Sequence, residues 1–178
     1  MIYKQLSLIV IFLFSPLIWA NNHIINVNDK ISDSSISFTP SLVFNTSDEM
    51  KEAIDNGIRL YLIAKAEIYQ PSSWWFDKTI DKQKIDLEVS YSTLLKLYLV
   101  KNKQSGEQLG FNDYQQLWQE FNKLIVFKFP LEKSHNNWFK IRVVLDKGGL
   151  PTAMQLPVLF NSKWDVNTPW FTQEVKPK

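Results

Sequence analysis

Apolar and polar residues alternate with a period of two along most of the chain. Ile36, Phe38, Leu42 and Phe44 share one phase, interrupted by Pro40. This predicts a strand that bends or lies at a sheet edge, because proline cannot donate to a central ladder. From Ile58 the alternation is longer: Ile58, Leu60, Leu62, Ala64, Ala66 and Ile68 face one way, and Arg59, Lys65 and Glu67 the other. One face of that strand belongs in a core and the other in water. Ile85, Leu87, Val89 and Tyr91 make a second such face against Lys84, Asp86 and Glu88, and Leu95, Leu97 and Leu99 a third. A short strand is predicted through "EQLGF" after Gly106, and another over Trp138–Leu145 with Phe139, Ile141, Val143 and Leu145 in phase. The short links between these segments favour an antiparallel meander.

Two stretches change to helical spacing. "TSDEMKEAIDNG" opens with a capping-box pattern from Thr46 to Glu49, closes on Gly57, and sets Met50, Ala53 and Ile54 on one side of a short helix. "NDYQQLWQEFNKLI", with Asn112 as its cap, spaces Tyr114, Leu117, Trp118, Phe121, Leu124 and Ile125 three and four apart, which is the core face of an amphipathic helix. The tail "LPTAMQLPVLFNSKWDVNTPWF" holds three prolines and reads as irregular edge segments. Together these elements predict a mainly β fold, an antiparallel β-sandwich or similar two-layer sheet, with one long amphipathic helix and one short helix. Without repeats or low-complexity linkers, residues 21–178 read as a single domain.

The amino terminus changes the setting. Lys4 precedes the apolar run "LSLIVIFLF" and then "SPLIWA", the layout of a secretory signal with a cut after Ala20. The apolar stretch of residues 6–20 contains Pro16 and is shorter than the ~20 residues that cross a bilayer, so an uncleaved inner-membrane anchor is the second reading. The expected location is the periplasm. Export would permit disulfides, but the chain has no cysteine, so packing alone must hold it. The net charge is +2, or +1 without Lys4, too small for a counterion-driven grip on nucleic acid, and the basic residues are interspersed with acids along the chain as on a solvated surface.

Catalytic chemistry has few candidates. The two histidines, His23 near the mature terminus and His135 in "EKSHNN", supply no HExxH or comparable zinc pair, and no GxSxG elbow would expose a serine such as Ser134. Gly148 and Gly149 stand alone rather than in a phosphate loop, so no metal, nucleotide or other cofactor is expected. The acidic candidates are Asp77, Asp81, Asp86, Glu88 and Asp146. Asp77 stands beside Trp74 and Trp75, as a hydrolase acid in an apolar pocket would, but an aspartate at such a turn also caps backbone amides, and Asp146 before "KGG" has the same turn chemistry.

The ordered series "AIDNGIRLYL", "WWFD", "LEVSYSTLLKLYLV", the amphipathic helix, "RVVLDKGGLPTAMQ", and finally Trp164 and Trp170 resembles the domain of unknown function 4390 family, over roughly residues 38–171. The resemblance implies a small exported proteobacterial protein with a β-rich domain. It also suggests a partner, since some relatives are encoded beside a membrane sensor kinase of the nitrogen-regulation type. The chain departs from the usual pattern in carrying Trp138 where tyrosine is common and Phe171 where a later tryptophan is usual.

The stretch "QPSSWWFD" then becomes the surface of interest. In an extended backbone Trp74 and Trp75 point to opposite sides, so one ring should be inward and the other outward; phase with Phe76 and Ile80 points Trp74 inward. The expected function is a non-enzymatic interaction module of the cell envelope with an envelope or membrane-protein partner. The alternative is a carbohydrate-binding or hydrolytic domain using Trp74, Trp75 and Asp77.

Overall fold

The computed structural model describes residues 22–74, 76–134 and 137–175, without the side chains of Lys133 and Ser134. The predicted signal and its cut after Ala20 lie outside these residues. In chain order the elements are β1 (His23–Ile31), β2 (Ser35–Val43), α1 (Asp48–Asp55), β3 (Leu60–Gln70), β4 (Lys78–Ser92), β5 (Leu97–Asn102), β6 (Gln108–Phe111), α2 (Tyr114–Glu120), β7 (Phe127–Pro130), α3 (Leu131–Ser134), β8 (Trp138–Leu145), α4 (Thr152–Leu159) and β9 (Phe171–Glu174). The fold is mainly β. One antiparallel sheet has the order β6-β5-β4-β3-β8-β9, and a smaller one the order β1-β2-β7.

The alternation in β3 divides the large sheet into an inner and an outer face. Leu60, Leu62, Ala64, Ala66 and Ile68 are fully buried. Antiparallel register carries the same face onto Leu87 and Val89 of β4 and onto Phe139, Ile141 and Val143 of β8. The small sheet covers part of this face. Phe38 of β2 stacks on Phe139 with centroids 3.9 Å apart, and Phe129 of β7 meets both rings edge-on. Helix α2 and the 3-10 turn that follows it, Phe121–Leu124, pack on β5 and β6. Both coverings share one hydrophobic core. Among the described residues, no helix is long and apolar enough to cross a membrane.

Several elements differ in detail from expectation. β2 is the central strand of its sheet despite Pro40. Its pairing with β7 ends at Phe38, so the ladder is one-sided at the proline, where the Asn122 amide donates to the Pro40 carbonyl at 3.0 Å. The leucine phase of β5 is reversed: Tyr98, Val100 and Asn102 face inward, Leu97 and Leu99 outward, and Leu95 is exposed. The turn before β5 sets Tyr91 opposite Tyr98, and directly opposed residues share a face, so the turn overrides the leucine pattern. Both helix caps fall one residue later than predicted. Ser47 accepts the Met50 amide in α1, while Thr46 instead accepts the Tyr114 hydroxyl at 2.8 Å; Asp113 accepts the Gln116 amide in α2. The amphipathic unit is seven residues of α-helix followed at once by the 3-10 turn, and all six predicted apolar positions are buried.

β1, β7 and α4 are absent from the pattern reading. A register shift between Ile24 and Asn26 breaks the period of two in β1, and β7 is only four residues long. In the tail, Pro151 occupies the N-cap of α4, where its missing N–H forfeits no helix bond. The tail therefore forms a helix before ending in the edge strand β9.

Candidate interaction surface

β3 and β4 form a long hairpin whose pairing runs from Leu60–Val89 to Gln70–Lys78, with a shift at Ile68/Tyr69. Pro71 follows the last paired residue, and the described residues between it and Asp77 belong to no helix or strand. Side chains tie its backbone together. Asp77 Oδ1 accepts the Ser72 amide at 3.2 Å, and Ser72 Oγ accepts the Trp74 amide at 3.4 Å. The rings are left outside: Trp74 is 91% exposed and Phe76 97%. The expected inward Trp74 is thus corrected. The phase that pointed it inward requires extended backbone, and this loop is not extended. Trp75 lies outside the described residues.

The outer face of β3 and β8 continues from this tip as an array of rings and cations. Tyr69 lies 6.5 Å from Trp138, centroid to centroid. Lys140 sits over both Tyr69 and Trp170, with its ammonium 5.0 Å from each ring centroid, and bonds Glu67 at 3.0 Å. Arg142 also lies over Trp170, its guanidinium carbon 4.6 Å from the ring centroid. Burial, and then the Asp77 carboxylate, push the Tyr69 phenol above its ordinary range while Lys140 opposes them. Trp138, Lys140, Arg142 and Trp170 are half-buried. Pattern reading put Lys65 and Glu67 on a wet face but did not assemble this array, whose members come from β3, β8 and the segment before β9; the signal was the shared even phase of Trp138, Lys140 and Arg142.

The catalytic candidates have structural occupations. Asp77 is exposed and serves as the turn cap described above, and among the described residues no apolar pocket of the kind that would raise a hydrolase acid surrounds it. Asp146 accepts the Gly148 amide at 3.1 Å as the cap of a 3-10 turn, and Asp86 accepts the Gln104 side-chain amide and Lys84. Glu88 pairs with Arg59 at 3.4 Å. Asp81 accepts the neighbouring Lys82 amide. His23 begins β1 and is exposed, whereas His135 and the Ser134 side chain lie outside the described residues. Among the described residues, no group of three His, Asp or Glu side chains is placed to hold a metal ion. A recess of about 560 Å³ between the β2–α1 loop and α2 is walled by Phe44, Tyr114 and Trp118, but these rings are buried against one another and offer no stacking platform.

No curated protein and no solved structure matches the chain. One family model does, over residues 21–174, which takes in both sheets, all four helices, the hairpin tip and the ring–cation face. The chain therefore belongs to the family described as Domain of unknown function (DUF4390).

Proposed function

We propose that this chain is a non-enzymatic interaction module of the cell envelope, exported with removal of residues 1–20, which holds a membrane-protein partner at the tip of the β3–β4 hairpin. A sensor kinase is the partner class suggested by the sequence resemblance. The observation that carries the reading is the near-complete exposure of Trp74 and Phe76 on a loop whose turn is closed by Asp77 and Ser72. Two large rings in water contribute nothing to folding, while tryptophans of this kind dominate the energetics of protein contacts. The adjoining array of Tyr69, Trp138, Lys140 and Trp170 would extend the same contact with rings and a cation already held in place.

The test is a photoreactive residue placed at Ser73 in the living cell. It is expected to yield one reproducible covalent adduct with an envelope protein, and the same residue at Lys30 on β1 should not yield it. No adduct at Ser73, or the same adducts at both positions, would contradict the reading. Export has its own check. Mass spectrometry of the purified protein should find Asn21 as the first residue, and a membrane-bound form retaining residues 1–20 would show that the segment is an anchor.

A further inference from the structure

Basic residues that alternate with acids along the chain are brought together across the sheet. Register places Lys65 of β3 opposite Lys84 of β4 on one side and opposite Arg142 of β8 on the other. Three cations thus form one row perpendicular to the strands, at the strand spacing of about 4.8 Å. Like charges directly opposed weaken a sheet, so this row is a cost to the fold. The next row toward the hairpin tip is Lys82, Glu67 and Lys140, where the one acid pairs with Lys140 at 3.0 Å. Of the acids beside these rows, Asp86 is engaged by Lys84 at 3.1 Å and by Gln104 at 2.8 Å, and Glu174 of β9 lies opposite Trp138, two residues along β8 from Lys140. Among the described residues, neither Lys65 nor Arg142 has a carboxylate within ion-pair distance. Arg142 Nε is buried without a hydrogen bond, and its guanidinium is held over Trp170. In these two rows five cations stand against one acid, Glu67, with Asp86 and Glu174 at the margins and the central pair, Lys65 and Arg142, unanswered.

We infer that the Lys84–Lys65–Arg142 row binds the side-chain carboxylates of an acidic segment in the partner protein. This rests on the interaction reading and names the chemistry the partner must bring. A depression of about 230 Å³ lined by Lys65, Ala66, Glu67, Lys82, Gln83 and Lys84 lies at the Lys84 end of the row. Arginine stacked on a ring keeps its fork free for a planar carboxylate. Lys84 at the end of the row is exposed, but at its centre the shape favours a peptide over a bilayer. Lys140 is only 23% exposed and lies between two rings, and Lys65 and Arg142 are half-buried. Lipid phosphates lie in a plane and reach cations that stand proud, whereas a carboxylate on a flexible side chain enters between rings. The row lies six residues from Pro71 along β3, about 20 Å from the tip, so one partner could touch both.

The purified mature protein should bind a fluorescein-labelled hexaglutamate peptide saturably at low ionic strength, and added salt should weaken the binding. Lys65→Gln and Arg142→Gln should each weaken it about tenfold, as expected for one charge-assisted bond, while Lys30→Gln on β1 leaves it unchanged. Lys65→Arg should retain binding. Lys65→Gln should also raise the melting temperature, because it relieves the like-charge row, an effect that a purely structural lysine would not give. The inference is overturned by an absence of saturable binding, by an equal loss in Lys30→Gln, by phosphatidylglycerol vesicles binding where hexaglutamate does not, or by a lower melting temperature in Lys65→Gln. The two readings fail separately. Loss of the Ser73 adduct in tip variants, with hexaglutamate binding unchanged in Arg142→Gln, leaves the interaction reading standing and removes this one.

Discussion

Replacing Trp118 with alanine is expected to lower the unfolding free energy by about 3–5 kcal/mol. The ring is 5% exposed, stacks on Phe44 with centroids 4.8 Å apart, and meets Tyr114 and Phe121 edge-on at 5.9 and 5.5 Å. It therefore joins α2 and the turn after it to the segment leaving β2. Removing it opens a cavity walled by rings that are fixed by their other contacts and cannot collapse to fill it. Trp118→Phe should cost less than alanine for a specific reason. The indole N–H is buried and makes no well-formed hydrogen bond, so phenylalanine loses volume but forfeits little polar contact. Chemical denaturation measures both. A loss below about 1 kcal/mol for alanine would place the ring outside the packed core.

Phe38→Ala should cost a similar amount, about 3–5 kcal/mol, through a different joint. Phe38 is fully buried and stacks on Phe139 at 3.9 Å, with Phe129 edge-on at 6.1 Å from Phe38. This cluster is where the small sheet meets β8. Loss of the ring removes area from both layers and two aromatic pairs, each worth roughly 0.5–1.5 kcal/mol beyond burial. Phe38→Leu keeps most of the volume and should recover more than half of the loss. If the alanine variant unfolded at nearly the same denaturant concentration as the parent protein, the two sheets would not be joined at this point.

Where period-two alternation is long, as in β3 and β8, element, face and burial could all be read from sequence. The six apolar positions of α2 and its 3-10 turn were equally legible, because spacing of three and four survives a change from α to 3-10 geometry. Reading failed where a local feature set the register. The turn before β5 reversed the leucine phase, the irregularity at Ile24/Asn26 hid β1, and Pro151 at an N-cap made a helix look like a loop. The candidate surface was half legible. "QPSSWWFD" marked the tip, and the turn-capping role of Asp77 follows from its residue type. The direction of Trp74 did not, because alternation stops where the strand does. The cation row was invisible for a deeper reason. Lys65, Lys84 and Arg142 each have acids nearby in the chain, and only cross-strand register, a property of pairs far apart in sequence, sets them side by side.

We propose that the rings at the hairpin tip serve a partner and not the fold. The Trp74→Ala/Phe76→Ala double variant, carrying the photoreactive residue at Ser73, tests it when unfolding and capture are measured side by side. The expected result is an unfolding free energy within about 0.5 kcal/mol of the parent protein together with loss of the covalent adduct. An adduct formed as strongly as before would contradict it, and so would a destabilisation of several kcal/mol, which would make the tip part of the core.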